Sequence, residues 1–281
     1  MNSDYLAIYA KNGSEVTTTG TINTNTASGV GIFGDKTVVN LDGGNITGTG
    51  NDILGVVGTN GAEVKLNGTN ISQTGDKARG MIVEGSKAVL TSGNITLGKE
   101  GVGIFAEGSN VDLENYGGKI TLGEKGVGYY SKDSTQTGGT LNIDYTGTAK
   151  SVGVYYNSSN PLDNNIVVNH TGDNLVSMVA EGTKVTNNAD LKVNEGGIGI
   201  FGKKNSSVGS EIVNKGKLTL DGINSIGMYL DDSDSKITEI NEIVGGDNDT
   251  PNNYKIGIFV KDGDIQTDKD YKFNVGGGIG I

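Results

Sequence analysis

The chain alternates apolar and polar residues in short runs, and this pattern recurs along its whole length. One recurring run places a small residue between two aliphatic residues and adds an aromatic or β-branched residue. Clear copies are Val30-Gly31-Ile32-Phe33 and Ile256-Gly257-Ile258-Phe259. Alternation with a period of two is typical of half-buried β-strands, and glycine-rich turns separate the runs. The pattern predicts an all-β chain of many short strands.

Successive copies of this run lie 22–30 residues apart, and two further alternating runs follow in each period, as at 111–113 and 119–122. Three strands in so short a repeat leave no room for a helix. The repeat also has too few residues to form a propeller blade. The repeat predicts a right-handed parallel β-helix, a solenoid of about eleven coils with three short strands each. The small residues of the repeat are Ala7, Gly31, Gly55, Gly80, Gly103, Gly128, Gly153, Ser177, Gly199, Gly227, Gly257 and Gly280.

We expect residues 1–281 to form a single β-helix segment, with longer or less regular coils at 157–174 and 203–255. The sequence starts and stops within a repeat, and neither end resembles a capping repeat. Solenoids need such caps to shield their end strands. We therefore expect a fragment of a longer rod, monomeric but able to stack end to end.

Strand alternation also predicts which columns of residues face the core. The aliphatic residues before and after the small residue share one face, so we expect both columns to lie inside. Arg79 and Tyr129 interrupt these columns, and we interpret Arg79 as a sign of a local strand shift. The small residues and the following aromatic column would share the outer face. Such a stripe is either a contact surface or a cover for the strands. The outward aromatic column is Tyr9, Phe33, Val57, Ile82, Phe105, Tyr130, Tyr155, Val179, Phe201, Tyr229 and Phe259.

Composition narrows the classes of function. The chain has 48 glycines, 2 prolines and no cysteine, which excludes a disulfide scaffold and thiolate chemistry. Its net charge is −11 and Arg79 is the sole arginine, so we expect no nucleic-acid partner. Apolar runs fall short of the roughly 18 residues of a membrane helix, which predicts no membrane span within these residues.

Catalytic residues are sparse in the sequence. Glycoside hydrolysis needs two carboxylates at a defined separation, and a hydrolase using the acidic residues between Asp231 and Asp249 is one alternative function. We expect these residues in solvated turns instead, and we predict no enzyme activity, cofactor or metal site. Weak calcium binding at 231–234 is an alternative that the sequence leaves undecided.

Two other polar features stand out. His170 is the single histidine, and we expect it to face outward at a strand end. Asn45, Asn70 and Asn94 recur at the coil spacing, which predicts a stacked polar ladder or left-handed turn residues.

Recognition in a solenoid tends to reside where the repeat is interrupted, because loops tolerate change and the coils maintain the shape. The interrupted segments are polar and contain both prolines. They are candidate partner-contact loops, or else surface excursions without a partner. Their candidate contact residues are Asn157, Asn160, Pro161, Asp163, Asp231, Asp232, Asp234, Asp247, Asp249 and Pro251.

The run Gly101-Val102-Gly103-Ile104-Phe105-Ala106, followed by Gly118-Lys119-Ile120-Thr121-Leu122-Gly123, resembles the passenger repeats of large type V autotransporter adhesins, particularly fusobacterial ones. The resemblance covers most of the chain and weakens across 157–174 and 203–255. It implies a virulence-associated rod at the bacterial surface, secreted through the outer membrane. The implied partners are proteins or glycans on host cells or other bacteria. A pure spacer stalk is the remaining alternative.

Overall fold

The computed structural model describes residues 2–3, 5–145, 147–245, 254–267 and 272–275. These residues form β-strands, turns and bends, with no helix among them. The chain packs as two compact units, Met1–Tyr145 and Thr146–Ile281. In each unit parallel strands stack coil upon coil, with three strand faces per coil, so the predicted β-solenoid is confirmed. Its right-handedness stays a prediction.

The first unit contains nineteen described strands, most of them three to six residues long. They are β1 (Asn2–Ser3), β2 (Leu6–Lys11), β3 (Glu15–Thr18), β4 (Thr21–Thr24), β5 (Val30–Asp35), β6 (Val38–Leu41), β7 (Asn45–Gly48), β8 (Leu54–Thr59), β9 (Glu63–Asn67), β10 (Asn70–Gln73), β11 (Arg79–Glu84), β12 (Lys87–Ser92), β13 (Ile95–Leu97), β14 (Val102–Glu107), β15 (Asn110–Asp112), β16 (Lys119–Leu122), β17 (Val127–Lys132), β18 (Thr135–Gln136) and β19 (Gly139–Tyr145). Three sheets result, with orders β2-β5-β8-β11-β14-β17, β3-β6-β9-β12-β15-β18 and β1-β4-β7-β10-β13-β16-β19.

The second unit contains fewer but longer described strands, because some run without a break around a corner of the coil. They are β20 (Ser151–Asn157), β21 (Leu162–Asn164), β22 (Ile166–Thr171), β23 (Leu175–Glu181), β24 (Lys184–Asn187), β25 (Leu191–Val193), β26 (Ile198–Lys203), β27 (Glu211–Leu220), β28 (Ser225–Gly245), β29 (Lys255–Ile265) and β30 (Lys272–Val275). Here β20, β23, β26 and β28 pair in that order, and β29 and β30 both pair with β28.

The core is built from identical positions stacked one coil apart. Ile46 pairs in register with Ile71, Ile71 with Ile95, and Ile95 with Ile120, and all four are buried. Parallel strands lie about 4.8 Å apart, so each isoleucine contacts the next one along the stack. β-branched side chains fit this pleated surface well. Packing between coils therefore stabilises strands of only a few residues.

The strands that carry the small residue place two consecutive residues inside. In β5, Gly31 and Ile32 are buried while Val30 and Phe33 are half-buried on the outer side. The strand register passes from Val30 to Ile32 without a partner for Gly31. The aliphatic column after the glycine is therefore in the core as expected. The column before it lies outside and the glycine column inside, so the predicted positions of these two columns were wrong.

Close packing explains the glycine column. A Cβ built on Gly31 would lie 2.5 Å from the Gly55 carbonyl oxygen and 2.9 Å from Ile46 Cγ2. In the second unit, a Cβ on Gly199 would lie 2.5 Å from the Gly227 carbonyl oxygen. Both distances are shorter than a side chain tolerates, so the next coil approaches only because the Cβ is missing. Gly103, Gly128, Gly153 and Gly257 occupy the same buried column.

One turn of the first unit repeats an unusual backbone conformation. Just before the glycine strands, a non-glycine residue adopts positive φ in five successive coils, although side chains rarely do so. These residues are Ser28, Asp52, Lys77, Glu100 and Lys125, with φ between 56° and 61°. The backbone conformation of this turn is thus the same in all five coils, while the side chain at the positive-φ position is neutral, acidic or basic.

Asparagines form a ladder in each unit. On the surface of the first unit, Asn70 Nδ2 donates to Asn45 Oδ1 (3.4 Å), and the Asn94 backbone N–H donates to Asn70 Oδ1 (3.1 Å). The predicted polar ladder is present, and none of these three described residues has positive φ. In the second unit Asn164, Asn187 and Asn214 form a ladder that is fully buried.

Candidate functional site

The outer face of the glycine-bearing strands is the most regular surface in each unit. Three columns run along it: the aliphatic column that includes Val30, the aromatic column that includes Phe33, and a polar column that includes Asp35. We call this surface the outer face. In the second unit Val176, Val179 and Ile198 are buried within it, with five half-buried neighbours. These neighbours are Val152, Tyr155, Phe201, Ile226 and Tyr229.

Aromatic rings on the outer face stack along the coil direction. In the first unit the Phe105 and Tyr130 ring centroids are 5.2 Å apart at 8°, and in the second the Phe201 and Tyr229 centroids are 5.0 Å apart at 11°. Phe259 follows Tyr229 at 5.3 Å but is tilted by 57°. Offset stacking at these distances adds to the energy of burial. The rings of the aromatic column therefore lie on the outer face as expected, and they stabilise each other while staying partly accessible. The aliphatic members Val57, Ile82 and Val179 of the same column are buried.

Charged side chains form the edge of the outer face. Lys132 and Glu107 form an ion pair at 2.6 Å, and Lys203 and Glu181 form one at 3.3 Å. The Tyr155 hydroxyl donates to Glu181. The hydrogen bond from Lys132 to Glu107 raises the pKa of that lysine above its ordinary value. Exposed pairs contribute little stability, so this edge matters chiefly as a polar margin beside the aromatic column.

Arg79 belongs to the outer face and does not shift the strand. It pairs in register with Leu54 and Val102, two members of the outer aliphatic column. Its guanidinium carbon lies 5.0 Å from the centroid of the Phe105 ring. The predicted local strand shift was wrong, because the column that Arg79 interrupts lies outside. Tyr129 is in the buried column after the glycine, where burial raises the pKa of its hydroxyl.

A groove of about 560 Å³ follows one corner of the first unit, between β8, β11 and β14 on one side and β9, β12 and β15 on the other. Gly61, Gly85 and Gly108 line it with positive φ, and a Cβ on any of them would meet open space. Its polar wall includes Glu63, whose pKa is lowered chiefly by the hydrogen bond from Lys87. We call this cavity the corner groove.

Buried serines hold the corner groove together. The Ser86 backbone N–H donates to Ser109 Oγ (3.1 Å), and the Ser109 N–H donates to Ser134 Oγ (3.0 Å). The Ser109 hydroxyl lies within hydrogen-bond distance of the Val83 and Glu107 carbonyl oxygens, and its single hydrogen is donated to one of the two. Each hydroxyl thus links neighbouring coils where the strand turns, so these serines support the groove and do not project into it.

The candidate contact loop around Pro161 lines a smaller groove of about 220 Å³ in the second unit. Asn160, Pro161 and Val208 are exposed and line this groove. Asn157 ends β20 and donates to Glu181 (3.4 Å), while Asp163 is exposed on β21. The loop is thus a four-residue turn between two strands.

Asp231, Asp232 and Asp234 lie within β28, and each carboxylate contacts a donor on a neighbouring part of the chain. Asp231 pairs with Lys261 (2.6 Å) and Asp234 with Lys204 (3.3 Å). Asp232 is buried and accepts hydrogen bonds from the Lys204 backbone N–H and the Ser235 hydroxyl, both at 2.7 Å. Its role is to hold the corner of the coil, so the expected solvated turn was wrong for this residue. Asp247, Asp249 and Pro251 lie outside the described residues.

His170 faces the interior, contrary to the expected outward position. It is only 7% exposed, and its Nε2 lies 3.0 Å from the Lys192 carbonyl oxygen and its Nδ1 3.3 Å from that of Gly172. Burial lowers the pKa of the imidazole, although the two carbonyl oxygens oppose this shift. The alternating burial along β22 directs Val167 outward and His170 inward.

Within the described ranges, no group of three or more histidine, aspartate or glutamate side chains is placed to hold a metal ion. No helix in the described part of the chain is long and apolar enough to cross a membrane. Comparison with known proteins gave no matching family model, curated protein or solved structure.

Three features of the fold escaped the sequence interpretation: the corner groove, the inward glycine column and the outward position of Arg79. The corner groove could have been located from Ser86, Ser109 and Ser134, which recur at intervals of one coil after a turn. The inward glycine column and the outward Arg79 could not have been predicted from spacing, because their positions depend on the two consecutive buried residues of each glycine strand. Spacing shows that residues stack, but it does not show on which side of the strand they stack.

Proposed function

We propose that this chain is a non-catalytic segment of a bacterial surface rod and that its outer face and corner loops contact proteins or glycans on other cells. The observation that supports this most directly is the outer face, where aromatic and aliphatic side chains repeat in strand register and many of them stay partly exposed. Monomeric proteins rarely expose large contiguous apolar patches without a partner. The resemblance to autotransporter passengers supports a location at the cell surface, reached through the outer membrane.

The solenoid architecture suits such a role because the main core and the outer face lie on opposite sides of the same strands. Inner columns such as Ile46, Ile71 and Ile95 hold the coils together, while the outer rings add stacking contacts and stay partly accessible. A solenoid therefore offers an extended surface whose residues vary independently of the fold. The described carboxylates Asp231, Asp232 and Asp234 are all bonded to lysine or backbone donors, and no observation on them favours the hydrolase alternative.

Competition for cell binding tests this proposal. Fluorescent chain is added to epithelial cells or to a panel of bacteria, with an excess of unlabelled chain as competitor. We expect saturable binding that the unlabelled chain abolishes. Binding should fall at least threefold in a Phe201→Thr/Tyr229→Thr variant and stay unchanged in Lys217→Ala, a control on another face of the same unit. Circular dichroism establishes that each variant is folded.

The outcomes distinguish the proposal from its rivals. No saturable binding to any cell type would favour a spacer stalk and would contradict adhesion by this segment. Release of reducing sugars from acidic polysaccharides would favour the hydrolase. Antibody labelling of intact bacteria that make the parent protein tests the location, since a surface rod must be accessible without permeabilisation.

A further inference from the structure

A cavity of about 340 Å³ opens on the outer side of the first unit, where three successive coils meet. Each coil contributes one left-handed turn residue and one residue of the outer aliphatic column. The lining residues are Asp52, Leu54, Lys77, Arg79, Glu100 and Val102. The central coil thus supplies two cations, and each flanking coil supplies one carboxylate and one aliphatic side chain.

Arg79 differs from its neighbours in this column by its charge, although its strand register is regular. The equivalent positions in the neighbouring coils are Val30, Leu54, Val102 and Val127, all apolar. An apolar residue would pack there at least as well, because the column is half-buried. Departures from a local pattern that bring no gain in packing are concentrated at functional sites.

The charged side chains around the cavity also lack polar partners in the described part of the chain. Within the described ranges, the side chains of Asp52, Lys77, Arg79 and Glu100 have no ion pair and no hydrogen bond. Elsewhere on this protein lysines and acids of neighbouring coils do pair, as Lys132 does with Glu107 at 2.6 Å. Phe105 holds the guanidinium of Arg79 by a cation–π contact at 5.0 Å, which leaves its N–H edge free for a planar anion.

We propose that this cavity binds one acidic monosaccharide unit of a glycan, with its carboxylate on Arg79. The inference rests on the proposed adhesive function and names a ligand for one site on it. Arginine binds carboxylates through two parallel hydrogen bonds, and Lys77 adds a second positive charge. Leu54 and Val102 provide apolar contact for the face of a sugar ring. The volume is near the lower end of that of small-molecule sites, which suits one monosaccharide.

The two carboxylates decide between a sugar and an acidic peptide. Asp52 and Glu100 accept hydrogen bonds from hydroxyl groups, which a sugar carries around its ring. A peptide with several glutamates would place further negative charges beside these carboxylates and would be repelled. One anionic group among several hydroxyls therefore matches the arrangement better than a run of acids.

The test uses the fact that Arg79 is the only arginine. In a ¹⁵N-labelled chain its Nε–H gives a single side-chain signal, which is followed while sodium glucuronate is added. We expect a saturable shift with a Kd on the order of 1 mM. The methyl ester of glucuronate, which lacks the charge, should bind at least tenfold more weakly. Arg79→Val should abolish binding and remain folded, because valine is the usual residue of this column.

Two comparisons make the test decisive. Lys132→Ala, which removes a cation elsewhere on the outer face of the same unit, should bind glucuronate normally. An Arg79 signal unmoved by glucuronate at concentrations on the order of 10 mM overturns the proposal, as does equal binding of the methyl ester. Binding of tetraglutamate without binding of glucuronate would overturn the sugar in favour of a peptide.

Cell adhesion separates this proposal from the broader one. If the chain adheres to cells and glucuronate does not shift the Arg79 signal, the acidic-sugar site is wrong and adhesion stands. If glucuronate binds and the chain does not adhere, the site stands and adhesion by this segment is wrong.

Discussion

Asparagine occupies a repeating position in both units, in opposite surroundings. In the second unit Asn164 Nδ2 donates to Asn187 Oδ1, and Asn187 Nδ2 donates to Asn214 Oδ1, both at 2.7 Å. These amides are fully buried and also donate to backbone carbonyl oxygens. In the first unit the ladder containing Asn45 and Asn70 is exposed, and its amide–amide bond is 3.4 Å long.

Gln73 in the first unit gives the contrasting case of a buried amide. It lies in an inner column with Leu97 and Leu122, and neither its Oε1 nor its Nε2 has a hydrogen-bond partner. Buried polar groups are tolerated when they are bonded and are costly when they are not. The comparison teaches that a buried amide suits this fold when the same amide recurs at that position in the next coil.

The largest expected effect is at Asn187, in the middle of the buried ladder. Asn187→Ala removes both amide–amide bonds and leaves Asn164 and Asn214 with unpaired buried atoms. We expect the free energy of unfolding to fall by about 3 kcal/mol, measured by urea denaturation followed by circular dichroism. Asn188→Ala is the matched control, because Asn188 is exposed and makes one bond to Asn165. Equal losses in the two variants would contradict the role assigned to the buried ladder.

Gln73→Leu should increase stability, because leucine continues the column of Leu97 and Leu122. The change removes two unpaired buried atoms, and we expect a gain of about 1–2 kcal/mol in the same urea assay. The gain is limited because Gln73 reaches over Gly48, where a Cβ would lie 2.4 Å from its Oε1. A less stable leucine variant would show that the amide is satisfied after all.

His170 is a second buried polar group of the second unit, and it makes stability depend on pH. Burial lowers its pKa in the fold, while Lys192 and Asp173 act on it with opposite signs. The folded state therefore prefers the neutral ring. Stability should be constant above the ordinary pKa of about 6.5 and fall as the pH drops below it, by at most about 1.4 kcal/mol per pH unit.

A His170→Gln variant is the control for this pH dependence. Its urea midpoint should change less than that of the parent chain between pH 7 and pH 5. Parallel curves for the two chains would mean that carboxylates, and not His170, cause the loss of stability in acid.

The smallest expected effect is at the exposed ladder of the first unit. Asn70→Ala removes one long amide–amide bond and one backbone acceptor at a solvent-accessible position. Water replaces both, so we expect a loss of about 0.5 kcal/mol. A loss as large as that of Asn187→Ala would remove the distinction between the exposed and buried ladders.

Much of the architecture was predictable because parallel coils place equivalent residues on top of each other. The buried column that contains Ile32 and Ile104, the outward rings of Phe105 and Phe201, and the ladder of Asn45, Asn70 and Asn94 all follow from spacing and alternation. These residues carry side chains whose polarity reports their surroundings, so a simple pattern suffices to place them.

The errors occurred where polarity and alternation give no information. Glycine has no side chain, so the pattern cannot tell whether Gly31 faces in or out, and two consecutive buried residues shift the alternation by one. Arg79 was misplaced for that reason. His170 follows the apolar pair Val167 and Val168, so either of two registers fits its strand. The candidate cavity at Arg79 depends on three coils meeting, which spacing alone does not reveal.

The left-handed turn residues of the first unit have a consequence for how such rods change over time. Ser28, Asp52, Lys77, Glu100 and Lys125 share one backbone conformation and differ in charge. Since the backbone specifies the turn, mutation can rewrite these side chains one coil at a time, at a fixed spacing of about 4.8 Å. The solenoid thereby acts as a scaffold of equally spaced sites, on which point substitution can change the recognition chemistry while the fold stays the same.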